Sequence, residues 1–345
     1  MPQPITVGVI TNASGVHLGA YFTALAQAEE VGAVALSDPS GQCVESARTT
    51  LGKKLTSVHR DAAAMLRRAQ PVMALVSLEA VAAPPAIDAA LEAGSHVFAE
   101  KPACIRADDF DRLNRKADGK HLHLMLALAN RLNPEVLEAR RLIRSGAIGK
   151  LYGLEMHLIA DQTRLTRPAY HQKWFAQKAR AGGGHLAWLG LHWLDLAMYI
   201  TEARVQQVTG FAGNVGGQPL DVEDSAAVVM RFDNDTFGTL TSGYYTDKGY
   251  HSHIKIWGSL GWLHVDTVAE PALTWYSTKD GKQAEVHTYD GPTGPKGYTP
   301  FVRAAVRASA GLADPPITGA ESLRVLQTVF AFYTAATTGT AQPVG

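Results

Sequence analysis

The stretch with the clearest chemical potential is a lysine set between an acid and a proline, Glu100-Lys101-Pro102, directly after Val97-Phe98-Ala99. β-Branched and aromatic residues suit a buried pleated surface, so residues 97–99 read as a short strand. Pro102 cannot donate to a sheet ladder, which stops the strand at Lys101. An amine at the carboxyl end of a strand lies where open α/β sheets bind ligands. Partial burial there lowers its pKa and lets it trade protons near neutrality. The alternative is a surface lysine in a turn. Further on, Trp188, His192 and Asp195 fall at i, i+4 and i+7 of a helix expected over 185–200, and so share one face. Imidazole is the natural acid/base near pH 7, although a histidine on an apolar helix is usually a satisfied core residue. Asp195 would anchor the helix through hydrogen bonds or orient His192, one turn away. His251 and His253 share a strand face and could bind a metal. No third ligand is identifiable, because nothing in the spacing of Glu285, His287 and Asp290 ties them to this pair, so no metal is expected.

The elements that must position these groups alternate through the first third of the chain. Strands are expected at 5–10, 31–36, 72–77, 97–99 and 122–128, and helices at 21–28, 43–51, 61–69, 85–93 and 108–117. This alternation predicts a Rossmann-type doubly wound parallel sheet, whose default ligand is a dinucleotide. The cofactor loop should follow the first strand. In place of Gly-x-Gly-x-x-Gly stands Thr11-Asn12-Ala13-Ser14-Gly15-Val16-His17, where only Gly15 offers glycine's freedom. Ala13 and Ser14 are small enough to permit close approach. Asp38, ending the second strand, is placed to bond the adenosine ribose hydroxyls and would repel a 2′-phosphate, which favours NAD over NADP. Before Pro39 it also reads as a turn aspartate.

At 345 residues the chain is long for one core, and two domains are expected. Lysine plus arginine equals aspartate plus glutamate, at 32 each, so neither nucleic acid nor a membrane surface is indicated as a partner. Cys43 and Cys104 form neither a disulfide framework nor a metal motif, which points to a reduced compartment. The chain enters its first strand almost at once, without a charged stretch followed by a cleavable apolar segment, so no cleavable leader is expected. The apolar segment 186–200 is too short to span a bilayer. A soluble cytoplasmic protein is expected. Beyond residue 128, strand signals become commoner, at 152–159, 226–232 and 239–245, the last running on into Thr246-Asp247-Lys248-Gly249. The polar segment 161–171, with Gln162, Arg164 and Arg167, lines a pocket mouth or forms a solvated lid. Helices at 301–310 and 320–336 follow.

In this order and spacing the residues resemble the glucose–fructose oxidoreductase, inositol dehydrogenase and MocA (Gfo/Idh/MocA) family. The resemblance is carried by Ala90-Leu91-Glu92-Ala93-Gly94-Ser95-His96-Val97 ahead of Glu100-Lys101-Pro102. Asn130-Arg131 with Pro134, then Leu142-Ile143-Arg144-Ser145-Gly146-Ala147-Ile148-Gly149, matches the family's domain crossover. Trp174, Gly182-Gly183-Gly184, His192 and Asp195 match its substrate-domain motif, and Val222-Glu223-Asp224 with Ile256-Trp257-Gly258-Ser259-Leu260-Gly261 match later sheet strands. The resemblance implies an NAD-binding Rossmann domain at 1–128. It implies a substrate-binding and oligomerisation α/β domain with a large, open, mostly antiparallel sheet at 129–345, whose C-terminal helices can pack back on the first domain. A homodimer or homotetramer is implied as well. So is NAD(P)-dependent hydride transfer on a hydroxyl of a sugar, polyol or related ring. Lys101 would orient the hydroxyl and assist proton movement, with a bond to Pro102 that is often cis. His192 would be the acid/base or a substrate ligand. The expected cofactor contacts are Thr11, Asn12, Ala13, Ser14, Asp38, Ser77, Glu100, Lys101, Asn130 and Trp174. The expected substrate contacts are Lys101, Gln162, Arg164, Trp188 and His192.

Three departures bear on the chemistry. The glycine loop is lost. The family's Thr-Pro pair after the third strand aligns with Leu78-Glu79, and its following histidine with Ala83. A frequent catalytic aspartate four residues before the histidine aligns with Trp188. An indole has no acid/base function, but its face packs well on the C–H face of a sugar ring. Proton transfer then falls to Lys101 and His192. The expected activity is an NAD-dependent oxidoreductase acting on a secondary hydroxyl of a sugar, glycoside or cyclic polyol. The alternatives are redox-neutral glycoside cleavage with tightly bound NAD, and a non-catalytic binding or regulatory member with a degraded cofactor loop.

Overall fold

The computed structural model describes residues 3–246, 249–279, 281 and 285–345; Asp247 and Lys248 of the expected strand continuation lie outside them. The chain divides into two compact units. One holds residues 1–132, 179–182 and 295–323, and the other holds 133–178, 183–294 and 324–345.

The first unit contains a six-stranded parallel sheet of β1 (Ile5–Thr11), β2 (Val31–Ser37), β3 (Leu55–His59), β4 (Met73–Ser77), β5 (His96–Ala99) and β6 (Leu124–Leu126), in the order β3-β2-β1-β4-β5-β6. Val7, Val9, Val34, Leu36, Leu75 and Phe98 have no exposed surface, as a sheet covered on both faces requires. The order reverses between β1 and β4, the point where such sheets open a ligand crevice at their carboxyl ends. Edge strand β3 is absent from the sequence reading, because its alternating half-buried and exposed residues carry little hydrophobic signal. Strand β6 is shorter than expected, since the Leu128 N–H turns back onto the Leu126 carbonyl at 2.7 Å. The late helix Tyr298–Ser309 belongs to this unit. It buries Phe301 completely, with its ring 6.1 Å from that of Phe98. Arg307 donates to Glu30 at 2.6 Å. The His96 and His123 rings stack at 4.7 Å, and the His123 amide donates to His96 Nδ1 at 2.9 Å. That bond puts the proton of the neutral ring on Nε2. Burial, with His123 adding to it, pushes His96 down to about 4.

The second unit is built on a nine-stranded sheet. Its strands are β7 (Leu151–Asp161), β8 (Val205–Gly213), β9 (Ser225–Phe232), β10 (Phe237–Thr246), β11 (Tyr250–Gly258), β12 (Gly261–Val265), β13 (Leu273–Ser277), β14 (Val286–Thr288) and β15 (Gln342–Pro343). Their order is β14-β13-β12-β11-β7-β10-β9-β8-β15. Every neighbouring pair is antiparallel except β7 with β10. One face is apolar and buried, with Leu154, Met156, Val228, Met230, Leu240, Ile254 and Ile256, and the alternate residues face outward. Val222-Glu223-Asp224 precedes β9 instead of lying within a strand. The helix expected over 185–200 is also different. Leu186–Gly190 winds as a π-turn, in which the Leu191 amide reaches back to the Leu186 carbonyl, before the α-helix Leu191–Thr201. Such turns concentrate at functional sites. No helix among the described residues is long and apolar enough to cross a membrane.

Truncating Phe301 to alanine should leave a cavity and cost about 3–5 kcal/mol, read as a drop in the thermal unfolding midpoint; an unchanged midpoint would show that the late helix adds nothing to the first unit's core. Protonation of His96 is unfavourable in the folded chain, so stability should be complete above pH 6.5 and fall progressively as pH drops toward about 4. Replacing His96 with asparagine should flatten that acid limb.

Candidate functional site

In the first unit, the loop after β1 is tied across the β1–β4 junction. The Thr11 hydroxyl donates to the Ser77 carbonyl at 2.9 Å. Ser77 Oγ accepts from the Val16 amide at 3.0 Å and donates to the Val16 carbonyl at 2.8 Å. Asn12 Oδ1 accepts from the Ser14 amide and hydroxyl at 2.8 and 2.6 Å, while Ala13 is exposed. A Cβ on Gly15 would lie 2.1 Å from Thr11 Oγ1, so a larger residue there would push the Thr11 hydroxyl off the Ser77 carbonyl.

Asp38 follows β2 and is buried. Its Oδ1 accepts from the Ser40 amide and hydroxyl at 3.0 and 2.5 Å, and Oδ2 from the Cys43 amide at 2.8 Å. Burial works to raise its pKa, but the Ser40 and Cys43 donors outweigh it and hold the carboxyl below its usual range. Cys43 Sγ donates to the Asn12 carbonyl at 3.7 Å, which joins the loop after β2 to the loop after β1.

Glu100 and Lys101 follow β5, each 1% exposed. Glu100 Oε1 accepts from the Lys101 amide at 3.0 Å. Its Oε2 takes the Tyr21 hydroxyl and the His17 Nδ1, the latter at 2.9 Å. His17 is the N-cap of the helix Leu18–Gln27, yet it turns its imidazole to Glu100 instead of capping. Burial lowers the Lys101 amine to about 8, against the opposing pull of the Glu100 charge. The Lys101–Pro102 bond is cis. Asn130 lies half-buried in the 3-10 segment Ala129–Leu132. Glu79, which replaces the expected proline, pairs with Arg180.

In the second unit, Trp174 is buried in a 3-10 turn, its ring edge-on to Trp188 at 5.2 Å. Phe175 stacks on the Trp188 indole at 4.7 Å and 20°. Trp188 sits in the π-turn, half-buried, and His192 and Asp195 are buried in the following α-helix. Arg164 donates to the Tyr250 hydroxyl at 2.7 Å, and Gln162 is exposed. Trp188 lines a pocket of about 200 Å³, counting space open to solvent, together with Tyr170, Phe175, His185, Glu223 and Tyr244.

Sequence reasoning did not single out three groups of this pocket. Glu223 organises the glycine turn. Its Oε2 accepts from the Gly184 amide at 2.6 Å, and Oε1 from the Leu186 amide and Tyr333 hydroxyl at 3.0 and 2.7 Å. A Cβ on Gly184 would sit 1.9 Å from the Glu223 carbonyl oxygen, which explains glycine there. Desolvation raises the Glu223 pKa, with these donors opposing. His185 is buried with Nδ1 2.7 Å from Ser242 Oγ, its ring edge-on to Tyr244 at 4.4 Å. Its Nε2 is buried without a hydrogen-bond partner among the described residues. Burial, with Arg164 adding to it, lowers His185 to about 3, so the ring is neutral at pH 7. The Tyr170 and Tyr244 hydroxyls bond at 2.8 Å. The available signals were a histidine directly after three glycines, and Ser242 and Tyr244 two apart on one strand.

Residues 6–128 match the family model described as an oxidoreductase family with an NAD-binding Rossmann fold, and residues 136–264 match the GFO/IDH/MocA C-terminal domain. The chain belongs to the GFO/IDH/MocA oxidoreductase family, and its first unit has that family's NAD-binding Rossmann fold. It is 28% identical over 191 residues to myo-inositol 2-dehydrogenase of Thermotoga maritima, covering 54% of this chain and 53% of that relative. It is 28% identical over 175 residues to levoglucosan dehydrogenase of Pseudarthrobacter phenanthrenivorans, covering 44% of each. The match thus spans about half the length of these curated relatives. Among solved structures, an oxidoreductase domain protein from Kribbella flavida shares the fold over the full length of both chains at TM-score 0.89 and 23% identity. A levoglucosan dehydrogenase in complex with NADH and L-sorbose shares it over 99% of both at TM-score 0.85 and 19% identity.

Replacing Tyr333 with phenylalanine removes a donor to Glu223 and the acceptor of the Ala187 amide, at 3.1 Å. The cost should be about 1–3 kcal/mol, visible as a lower unfolding midpoint; no loss would mean that Tyr333 does not hold the glycine turn.

Proposed function

We propose that this protein is an NAD-dependent dehydrogenase that moves a hydride between nicotinamide and a secondary hydroxyl of a sugar, glycoside or cyclic polyol. The observation that carries the reading is the Lys101 amine, sealed beside Glu100 at the carboxyl end of β5 and lowered to about 8. An amine so placed exchanges protons near neutral pH, whereas an exposed lysine does not.

The residues of the first unit fit a dinucleotide. Gly15 makes the tight turn after β1, beside an α-helix whose N-cap side chain does not cap it, and helix N-termini favour pyrophosphate. The turn is shaped by Thr11, Asn12, Ser14 and Ser77, and the exposed Ala13 leaves room for approach. Asp38 is charged and keeps acceptor capacity on Oδ2 for a ribose hydroxyl, which favours NAD over NADP. Glu100, Asn130 and Trp174 complete the proposed cofactor contacts.

Bound NAD supplies the hydride acceptor, so that the carbinol becomes a carbonyl. His192 takes the hydroxyl proton. The Lys101 ammonium donates to the substrate oxygen and stabilises its developing negative charge. Trp188 holds the C–H face of the ring, and Gln162 and Arg164 contact its hydroxyls. Relatives named for myo-inositol and levoglucosan support this substrate class. The domain assignment follows the same reading, with the cofactor bound by 1–128 and substrate by 129–345. We include a homodimer or homotetramer, supported by Phe211 and Phe237 standing 83% and 56% exposed on the second unit's sheet. A cytoplasmic location is supported by the free thiols Cys43 and Cys104.

Lys101→Met should bind NAD in calorimetry as the parent does and lose about 10²–10⁴-fold in kcat, followed by NADH absorbance with inositols and anhydrosugars as substrates. Full turnover in that variant would overturn the assignment. Trp188→Ala should raise KM with less effect on kcat, and an unchanged KM in a folded variant would remove the stacking role.

A further inference from the structure

The outward face of the second unit's sheet gathers three histidines and a carboxylate on adjacent strands. His157 on β7 lies directly opposite His253 on β11, and their rings stack at 4.5 Å and 18°. Glu155, two residues before His157 on the same face, places Oε1 at 3.2 Å from His253 Nε2. One ligand atom from each of Glu155, His157 and His253 lies within 4.8 Å of the others. His264 on β12 continues the row, its ring stacked 5.1 Å from that of His253. All four are half-buried.

We propose that Glu155, His157 and His253 form a zinc site, with His264 beside it as the neighbouring imidazole. Zinc–nitrogen and zinc–oxygen bonds of about 2.0–2.2 Å put tetrahedral ligand atoms roughly 3.3–3.5 Å apart. The His253–Glu155 separation of 3.2 Å is close to that edge, and no two of the three ligand atoms are more than 4.8 Å apart. Two imidazoles and one carboxylate, with a water in the fourth position, are a recurrent zinc donor set, whereas calcium and magnesium require oxygen ligands. A lysine ammonium on this face lies over aromatic rings. Lys255, in register with both Glu155 and His264, places its ammonium 5.6 and 5.0 Å over the Trp257 and Trp262 rings. The donors sit on paired strands, so their spacing is set by the sheet register. The partner of His253 is therefore His157 across the ladder, not His251 along the strand.

The test uses the full chain, freed of any polyhistidine tag and stripped with chelator, titrated with Zn²⁺ by calorimetry and with Co²⁺ by visible absorption. One equivalent should bind per chain, with an absorption band typical of four-coordinate cobalt. Glu155→Gln, His157→Ala and His253→Ala should each weaken binding by at least about tenfold, and His251→Ala should leave it unchanged. Zn²⁺ should raise the unfolding midpoint of the parent but not that of His253→Ala, whose unfolding without metal reports that it folds. No binding, or binding that depends on His251 and survives loss of His157, would overturn the proposal.

Discussion

Keeping an amine inside the first unit is the constraint around which that unit's functional corner is arranged. Moving Lys101 from 10.5 to about 8 corresponds to roughly 3 kcal/mol against the ammonium. The charge on Glu100 works the other way and keeps the amine from falling further. Glu100 can serve only if its own burial is compensated, and the Lys101 amide, Tyr21 and His17 supply the donors. His17 does so from a left-handed backbone at φ 58°, a conformation that costs a non-glycine residue about 1–2 kcal/mol. The loop after β1 thus carries strain so that a carboxylate two strands away remains held.

A carboxylate plays a different part in the second unit. Glu223 bonds the amides on either side of His185, and with Tyr333 it fixes the start of the π-turn that carries Trp188. Trp174 and Phe175 then brace the indole. An aromatic residue thus sits in the π-turn, and the side chains packed on it are aromatic as well. The two faces of the large sheet also differ in character. The inner one is aliphatic, and the outer one carries imidazole, indole and carboxylate groups.

Much of this was legible in the residues. The alternation of strand and helix signals defined the parallel sheet, and Pro102 marked the end of β5 beside Lys101. What escaped has physical causes. Strand β3 is an edge strand with one half-buried face, so its pattern is weak. The π-turn differs from an α-helix by one residue in one turn, which periodicity over five residues cannot resolve. Glu223 and the Glu155–His157–His253 cluster depend on contacts between distant segments, and no local spacing encodes them. The Asp38 turn reading and its cofactor reading were both present in the sequence. Its bonds to Ser40 and Cys43 account for the first while leaving acceptor capacity for the second.

The lone parallel pairing in the large sheet has a consequence for how the chain is made. Strand β7 leaves the ribosome before both of its eventual neighbours, β10 and β11, and β8 and β9 are synthesised in the interval. Those two can pair with each other while β7 waits with both edges unsatisfied. Contacts that close such long loops form late, so the central strand should gain its ladder later than the β8–β9 hairpin does, and until then it needs protection from aggregation in the nascent chain.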